Sequence, residues 1–120
     1  MHHGDQVPLV TTTTAMPDVI YEMSRKGLGM TCVADGDRVL LGIITDGDVR
    51  RKMMAFENML ARTARDVMTP DPIAVHRMTL AAEALNILEQ RKITALVVVD
   101  SERRVEGVIH LHDLWRTDLV

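Results

Sequence analysis

Asp48 and Asp113 are the side chains whose spacing most invites a chemical reading. Each stands six residues after a glycine, in the strings Gly42-Ile-Ile-Thr45-Asp-Gly-Asp48-Val-Arg50 and Gly107-Val-Ile-His110-Leu-His-Asp113-Leu-Trp115. Both strings pass from an apolar run into a polar one, which places the carboxylate in the first turn of a helix that follows a strand. A strand-to-helix turn exposes backbone N–H groups and the positive end of the helix dipole, and so favours an anionic ligand. The carboxylate itself can accept hydrogen bonds from two neighbouring hydroxyls, as on a ribose. The same residues have a second possible use, because Thr45-x-x-Asp48 fits a capping box that satisfies the helix N-terminus. In the other string His110 is a poor cap while Asp113 keeps its place. Ligand contact and capping therefore both stay open.

Other chemistries find less support. His110 and His112 alternate across a strand end, and no third Cys, Asp or His in metal-ligand spacing accompanies them. Gly27-Leu-Gly29 lacks the third glycine and the preceding strand of a dinucleotide fingerprint, and no Walker sequence is present. The single cysteine, Cys32, lies inside an apolar run. Burial there raises a thiol pKa and argues against a nucleophile, and a lone cysteine forms no internal disulfide. We read it as a small core residue of a protein kept in a reducing, cytoplasmic compartment. Nine methionines, among them Met53, Met54, Met59 and Met68 in and after the helix that begins near Asp46, suit core packing first and an adaptable interface second.

The elements that hold these residues repeat. Shifted by 65 positions, residues 7–51 overlay 72–116 without a gap and with nine identities: Val10/Val75, Thr14/Thr79, Val33/Val98, Asp35/Asp100, Arg38/Arg103, Gly42/Gly107, Ile44/Ile109, Asp48/Asp113 and Arg51/Arg116. Apolar pairs such as Ile20/Leu85 and Met23/Leu88 fill the intervals. In the second copy Thr79 can cap a helix whose apolar positions Leu80, Ala84, Leu85 and Leu88 recur at helical spacing as far as Arg91. Ala95–Val99 and Val105–Ile109 read as strands around the polar turn 100–103. The first copy predicts a helix after Thr14 with Pro17 in its first turn, strands at Met30–Ala34 and Val39–Ile44 around the turn 35–38, and a helix from Asp46 to about Phe56. Each copy is thus strand, helix, strand, turn, strand, helix. We place the first repeat at 1–56, a linker at 57–71 with Thr69-Pro70-Asp71-Pro72 ending any helix, and the second repeat at 72–120. Half of so short a chain buries little core alone, so the halves are expected to pack on each other as one pseudo-twofold α/β domain.

Composition narrows the function. The 120 residues are 47% hydrophobic and 26% charged, as in a folded globular chain, with net charge −3 and only three aromatics, Tyr21, Phe56 and Trp115. That charge and the missing stacking platform argue against nucleic acid as a partner. The longest uninterrupted apolar run, Ala95–Val99, is far short of the roughly 20 residues that span a bilayer.

The paired repeat, with Asp66-Val-Met-Thr-Pro70 leading into the second copy and Gly-Ile-Ile-Thr-x-x-Asp closing the first, resembles the CBS (cystathionine β-synthase) domain pair over essentially the whole chain. The resemblance implies two βαββα units packed through their sheets, and two clefts that in many members take adenosine nucleotides or related ligands. It places Thr45 and Asp48 in one cleft and His110 and Asp113 in the other, with Gly29 and Thr94, at the openings of the middle strands, lining them. His110 departs from the family pattern and weakens a phosphate contact there, leaving the ribose-binding Asp113. Three strings, Met1-His-x-Gly-Asp5, Thr45-Asp-Gly-Asp-Val-Arg-Arg51 and His110-Leu-His-Asp-Leu114, further resemble the C-terminal part of the arabinose-5-phosphate isomerase family, bacterial enzymes that supply the precursor of Kdo for lipopolysaccharide or capsule. Met1-His2 is then native sequence. In that family a sugar isomerase (SIS) domain precedes the CBS pair and holds the catalytic residues. The resemblance therefore implies a fragment without catalysis, partnered by its own SIS domain in a homo-oligomer. Such a fragment needs no cofactor and senses a nucleotide effector, either an adenine nucleotide or CMP-Kdo. A purely structural role in assembling the isomerase is the rival expectation.

Overall fold

The computed structural model describes residues 2–79 and 81–111. Among the described residues eight strands form two four-stranded sheets. Strands β2 (Leu9–Val10), β3 (Met30–Ala34), β4 (Leu40–Thr45) and β5 (Thr69–Pro70) make the first, in that order. The second runs β1 (His2–His3), β8 (Val105–His110), β7 (Ala95–Val99), β6 (Ala74–His76). Helices α1 (Met16–Lys26) and α2 (Asp46–Ala55) belong to the first repeat, α3 (Ala64–Val67) to the connection and α4 (Ala81–Arg91) to the second repeat. The fold is the mixed α/β architecture that the sequence predicts, with two sheets face to face and helices outside.

Alternation along the strands sorts the side chains. Met30 and Cys32 point toward the opposing sheet, where they join Leu40, Val97, Val99, Val105 and Val108 in a core drawn from both repeats. Val33 and Ile44 point the other way and pack under Met16, Val19 and Met23 of α1. Val75, Leu96 and Val98 do the same under Ala84 and Leu88 of α4. Cys32 is fully buried, and burial pushes its thiol up to about 12. In the folded protein at pH 8 Cys32 is therefore expected to resist an aromatic disulfide reagent and to react only on unfolding. Rapid labelling of the native state would contradict its place in the inter-sheet core.

The repeat is reproduced in detail. Both hairpins carry a register shift at the same point, Val33/Ala34 and Val98/Val99. Asp35 Oδ1 accepts from the N–H groups of Asp37 and Val39, and Asp100 Oδ1 accepts from those of Glu102 and Arg104. Each turn ends on an arginine in the left-handed region, Arg38 at φ 67° and Arg103 at φ 64°. Their carbonyls stitch the halves together: Leu40 N–H donates to Arg103 O and Val105 N–H to Arg38 O, both at 2.9 Å. The Arg38 side chain adds a 3.2 Å bond to Val105 O.

Thr14 precedes α1, as the sequence predicts; Ala15 is the N-cap, and the Thr14 hydroxyl accepts from Thr11 N–H at 3.0 Å. Segment 57–71 holds a 310 turn (Met59–Ala61), α3 and β5, and Met59, Ala64 and Val67 are buried in the core beneath α1. The leading strands are exchanged. β1, ahead of the first repeat, pairs with β8 of the second, and β5, ahead of the second, pairs with β4 of the first. The two pairings match, with His3 opposite Gly107 and Pro70 opposite Gly42. Among the described residues no helix is long and apolar enough to cross a membrane.

Candidate functional site

The turn from β4 into α2 is built as its sequence dictates. Thr45, in extended conformation, is the N-cap. Its Oγ1 accepts from Asp48 N–H at 3.1 Å, while Asp48 Oδ2 accepts from Thr45 N–H at 2.9 Å, completing the capping box. Asp48 has further partners that spacing could not show. Its Oδ1 accepts from Arg51 Nη2 at 2.7 Å and from Thr69 Oγ1, on the exchanged strand β5, at 3.2 Å. Asp48 is only 7% exposed and every bond its carboxylate makes is internal.

Beside this turn a groove of about 400 Å3 opens between the repeats. The first repeat contributes Gly29, Met30 and Ile43 from the sheet and Thr45, Asp46, Gly47, Arg50 and Arg51 from the start of α2; the second contributes Lys92 to Ala95. Gly29 is needed where it stands. Its φ of +71° favours glycine, and a Cβ there would lie 3.3 Å from Asp46 Oδ2. Gly29 O accepts from Asp46 N–H at 3.0 Å and Thr94 O accepts from Leu111 N–H at 2.8 Å, so each middle strand is tied to the turn that closes its own repeat.

The structure thus brings Gly29, Thr45 and Thr94 together on one groove. Asp48 lies beneath it, behind Arg51 and the capping box, and does not line it. His110 ends β8 opposite Ala95 and is half-buried. Asp113 and His112 lie outside the described residues, so the second cleft is not described from that side. Among the described residues no three His, Cys, Asp or Glu side chains converge as a metal site.

Three groove residues were not singled out in the sequence. Arg51 had a signal, its identity with Arg116 in the repeat. Arg50 and Lys92 had none. Together the three put cations on a rim that otherwise carries one exposed carboxylate, Asp46. The groove offers hydroxyl and backbone groups for hydrogen bonding, an apolar floor at Met30 and Ile43, and a basic edge. That combination suits a small polar ligand bearing negative charge. Further cavities lie elsewhere on the chain. One of about 300 Å3 between α1 and α2 shares Gly29 and Asp46, and one of about 640 Å3 is lined by His2, Asp5, Gln6, Arg25 and Lys26.

Comparison with known proteins gives the same architecture. Residues 3–55 and 64–114 match the CBS domain family. Over all 120 residues the chain is 42% identical to the arabinose 5-phosphate isomerase KdsD of Escherichia coli and 44% identical to that of Pseudomonas aeruginosa. It spans only 36% and 37% of the length of those relatives. Among solved structures, CBSX2 in complex with AMP superposes with a TM-score of 0.86 at 23% identity, covering 99% of this chain and 92% of that one. The CBS domain pair of protein MJ0100, solved with 5-methylthioadenosine and S-adenosyl-L-methionine, superposes with a TM-score of 0.83 at 20% identity, covering 97% and 90%.

Proposed function

The chain belongs to the CBS domain family, and from that premise we propose that its 120 residues are the nucleotide- or nucleotide-sugar-sensing regulatory module of a cytoplasmic arabinose-5-phosphate isomerase serving Kdo, lipopolysaccharide or capsule synthesis. The single observation that carries this reading is the groove between the repeats, where Gly29, Thr45 and Thr94 meet a cationic edge of Arg50, Arg51 and Lys92. A nucleotide supplies complementary chemistry: ribose hydroxyls for the Thr45 turn, an apolar base face for Met30 and Ile43, and phosphate for the cations. The AMP of one structural neighbour, and the 5-methylthioadenosine and S-adenosyl-L-methionine of another, support the ligand class, and the identity to isomerases supports the parent enzyme.

In this reading the module does no chemistry of its own. Its partner is the SIS domain of the same enzyme within a homo-oligomer. Ligand in the groove touches both repeats, so it binds differently to two relative arrangements of the halves, which is what allosteric control requires; a coupling of about 1–3 kcal/mol is typical. Asp48 and Asp113 serve as ribose contacts in their respective clefts. Asp48 reaches a ribose only once Arg51 and Thr69 release it, so binding at this carboxylate is an exchange of partners rather than occupation of an empty site.

Thermal unfolding against AMP, ATP, CMP-Kdo and S-adenosyl-L-methionine tests the reading. A cognate ligand at 100 times its Kd is expected to add about 2.7 kcal/mol of stability. No shift with any of them contradicts it. The rival reading, a structural module that assembles the isomerase, is favoured by the exposure of Met53 (60%), Met54 (92%) and Leu60 (56%) on and after α2. Light scattering separates the two, because loss of an assembler lowers oligomeric state while loss of a sensor removes only the effector response.

A further inference from the structure

The repeat allows a comparison that neither half permits alone. α1 and α4 both have 11 residues and end at equivalent positions, Lys26 and Arg91. Past each end the chain must turn into the left-handed region. In the first repeat glycine does this, Gly27 at φ 70°. In the second repeat the same position is Lys92 at φ 57°, with Ile93 N–H closing the turn onto Leu88 O at 3.0 Å. A side chain with a Cβ is disfavoured in that conformation, and glycine is the unstrained choice.

Local structure does not account for the lysine. A cation near a helix C-terminus complements the dipole, but Arg91 already supplies one, as Arg25 and Lys26 do for α1, which still ends in glycine. Arg38 and Arg103, the other left-handed basic residues, hand their carbonyls across to the opposite repeat. Lys92 makes no such bond, and neither it nor Arg50 has an ion-pair partner among the described residues. What the strained position achieves is placement: Lys92 lines the groove from the second repeat, opposite Arg50 and Arg51 of the first.

We propose that Lys92 is the specificity-determining cation of the inter-repeat groove, selecting a ligand with an oligoanionic group that it grips together with Arg50 and Arg51, so that the ligand bridges the two repeats. The pseudo-twofold counterpart of Lys92 is Gly27, so the first repeat supplies no equivalent cation at that helix end. The nucleoside portion of such a ligand rests on the nucleotide reading above, whereas the anion site rests on its own three cations.

Calorimetric titration of the wild-type chain, Lys92→Gly and Lys92→Met with inorganic tripolyphosphate, ATP and adenosine tests this. Loss of one charge-assisted contact is expected to weaken tripolyphosphate and ATP about tenfold in both variants and to leave adenosine unchanged. The wild-type affinity for the two anions should fall with added salt. Lys92→Gly should melt at least as high as the wild type, gaining about 2–4 °C from relief of the left-handed side chain, which separates weakened binding from damage to the fold. Unchanged affinity for both anions in both variants overturns the assignment. If the wild type takes tripolyphosphate in a Lys92-dependent way but no nucleotide, the anion site stands and the nucleotide reading falls. If it takes adenosine and ATP equally and tripolyphosphate not at all, the reverse holds. If it binds none of the three, the anion site falls, and the nucleotide reading falls with it unless CMP-Kdo or S-adenosyl-L-methionine shifts the thermal unfolding.

Discussion

Asp48→Ala is expected to lower stability by about 2 kcal/mol and to remove the response to nucleotide, two effects that a second variant can pull apart. The stability loss follows from the bonds that alanine cannot make. Thr45 N–H loses its capping acceptor, and Thr69 Oγ1 loses its link from β5 to the first repeat. Arg51 also loses its partner, but Arg51 is 71% exposed and solvent screens that pair, so it contributes little. Asp48→Asn keeps an acceptor oxygen and much of the cap while discarding the charge. It should therefore remain nearly as stable as the wild type in urea. If Asp48 holds ribose hydroxyls, the nucleotide-induced thermal shift disappears in both variants. If it serves only as cap and inter-strand tie, Asp48→Asn keeps the full shift and the ribose role is wrong.

Gly42→Val is expected to cost about 3 kcal/mol or more. A Cβ on Gly42 would lie 2.7 Å from Met68 Sδ and 2.8 Å from the Thr69 carbonyl oxygen. The sulfur can swing aside. The carbonyl cannot, because it is backbone of β5, which lies against β4 with Pro70 opposite Gly42 and Thr69 opposite Ile43. Valine must push the exchanged strand off the first sheet and take the Thr69–Asp48 bond with it. Gly36→Ala serves as the control, since nothing lies within 4 Å of its Cβ position and its φ is ordinary; it should change stability by no more than about 0.5 kcal/mol. Equal denaturation midpoints for the two variants would show that β5 is not held as described.

Gly42 also shows where sequence reasoning reached and where it stopped. Its identity with Gly107 was visible in the repeat, and the repeat carried most of the architecture: the strand–helix–strand order, the Asp35 and Asp100 turns, and the packing of the halves on each other, with the CBS resemblance adding that they meet through their sheets. The reason for the two glycines was not visible. They face the exchanged strands β1 and β5, which have two residues each and so no period to detect. The latter contains Pro70, which reads as a breaker until its place at the sheet edge is known.

The candidate site divides along a similar line. Thr45 was legible from its spacing to Asp48, whereas Gly29 and Thr94 came from the resemblance to the CBS pair, which maps the openings of the middle strands onto them. The capping box at Thr45 and Asp48 was legible as a spacing, and so was ligand contact as its alternative, but the further partners of the carboxylate were not: Arg51, and Thr69, which lies 21 residues away on a strand the sequence does not announce. Lys92 was invisible because left-handed strain at a lysine has no signature in composition or spacing. It emerges only when φ is compared between two equivalent helix ends.

The claim on which the functional account turns is that a nucleotide occupies the groove between the repeats. Amide chemical shifts of the isotopically labelled chain, followed while ATP is titrated to saturation, test it most directly. The expected result is one saturable set of shifts centred on Gly29, Thr45, Lys92 and Thr94, which come from both repeats and meet only there. A spectrum that ATP leaves unchanged, or changes only at residues remote from that groove, would contradict it.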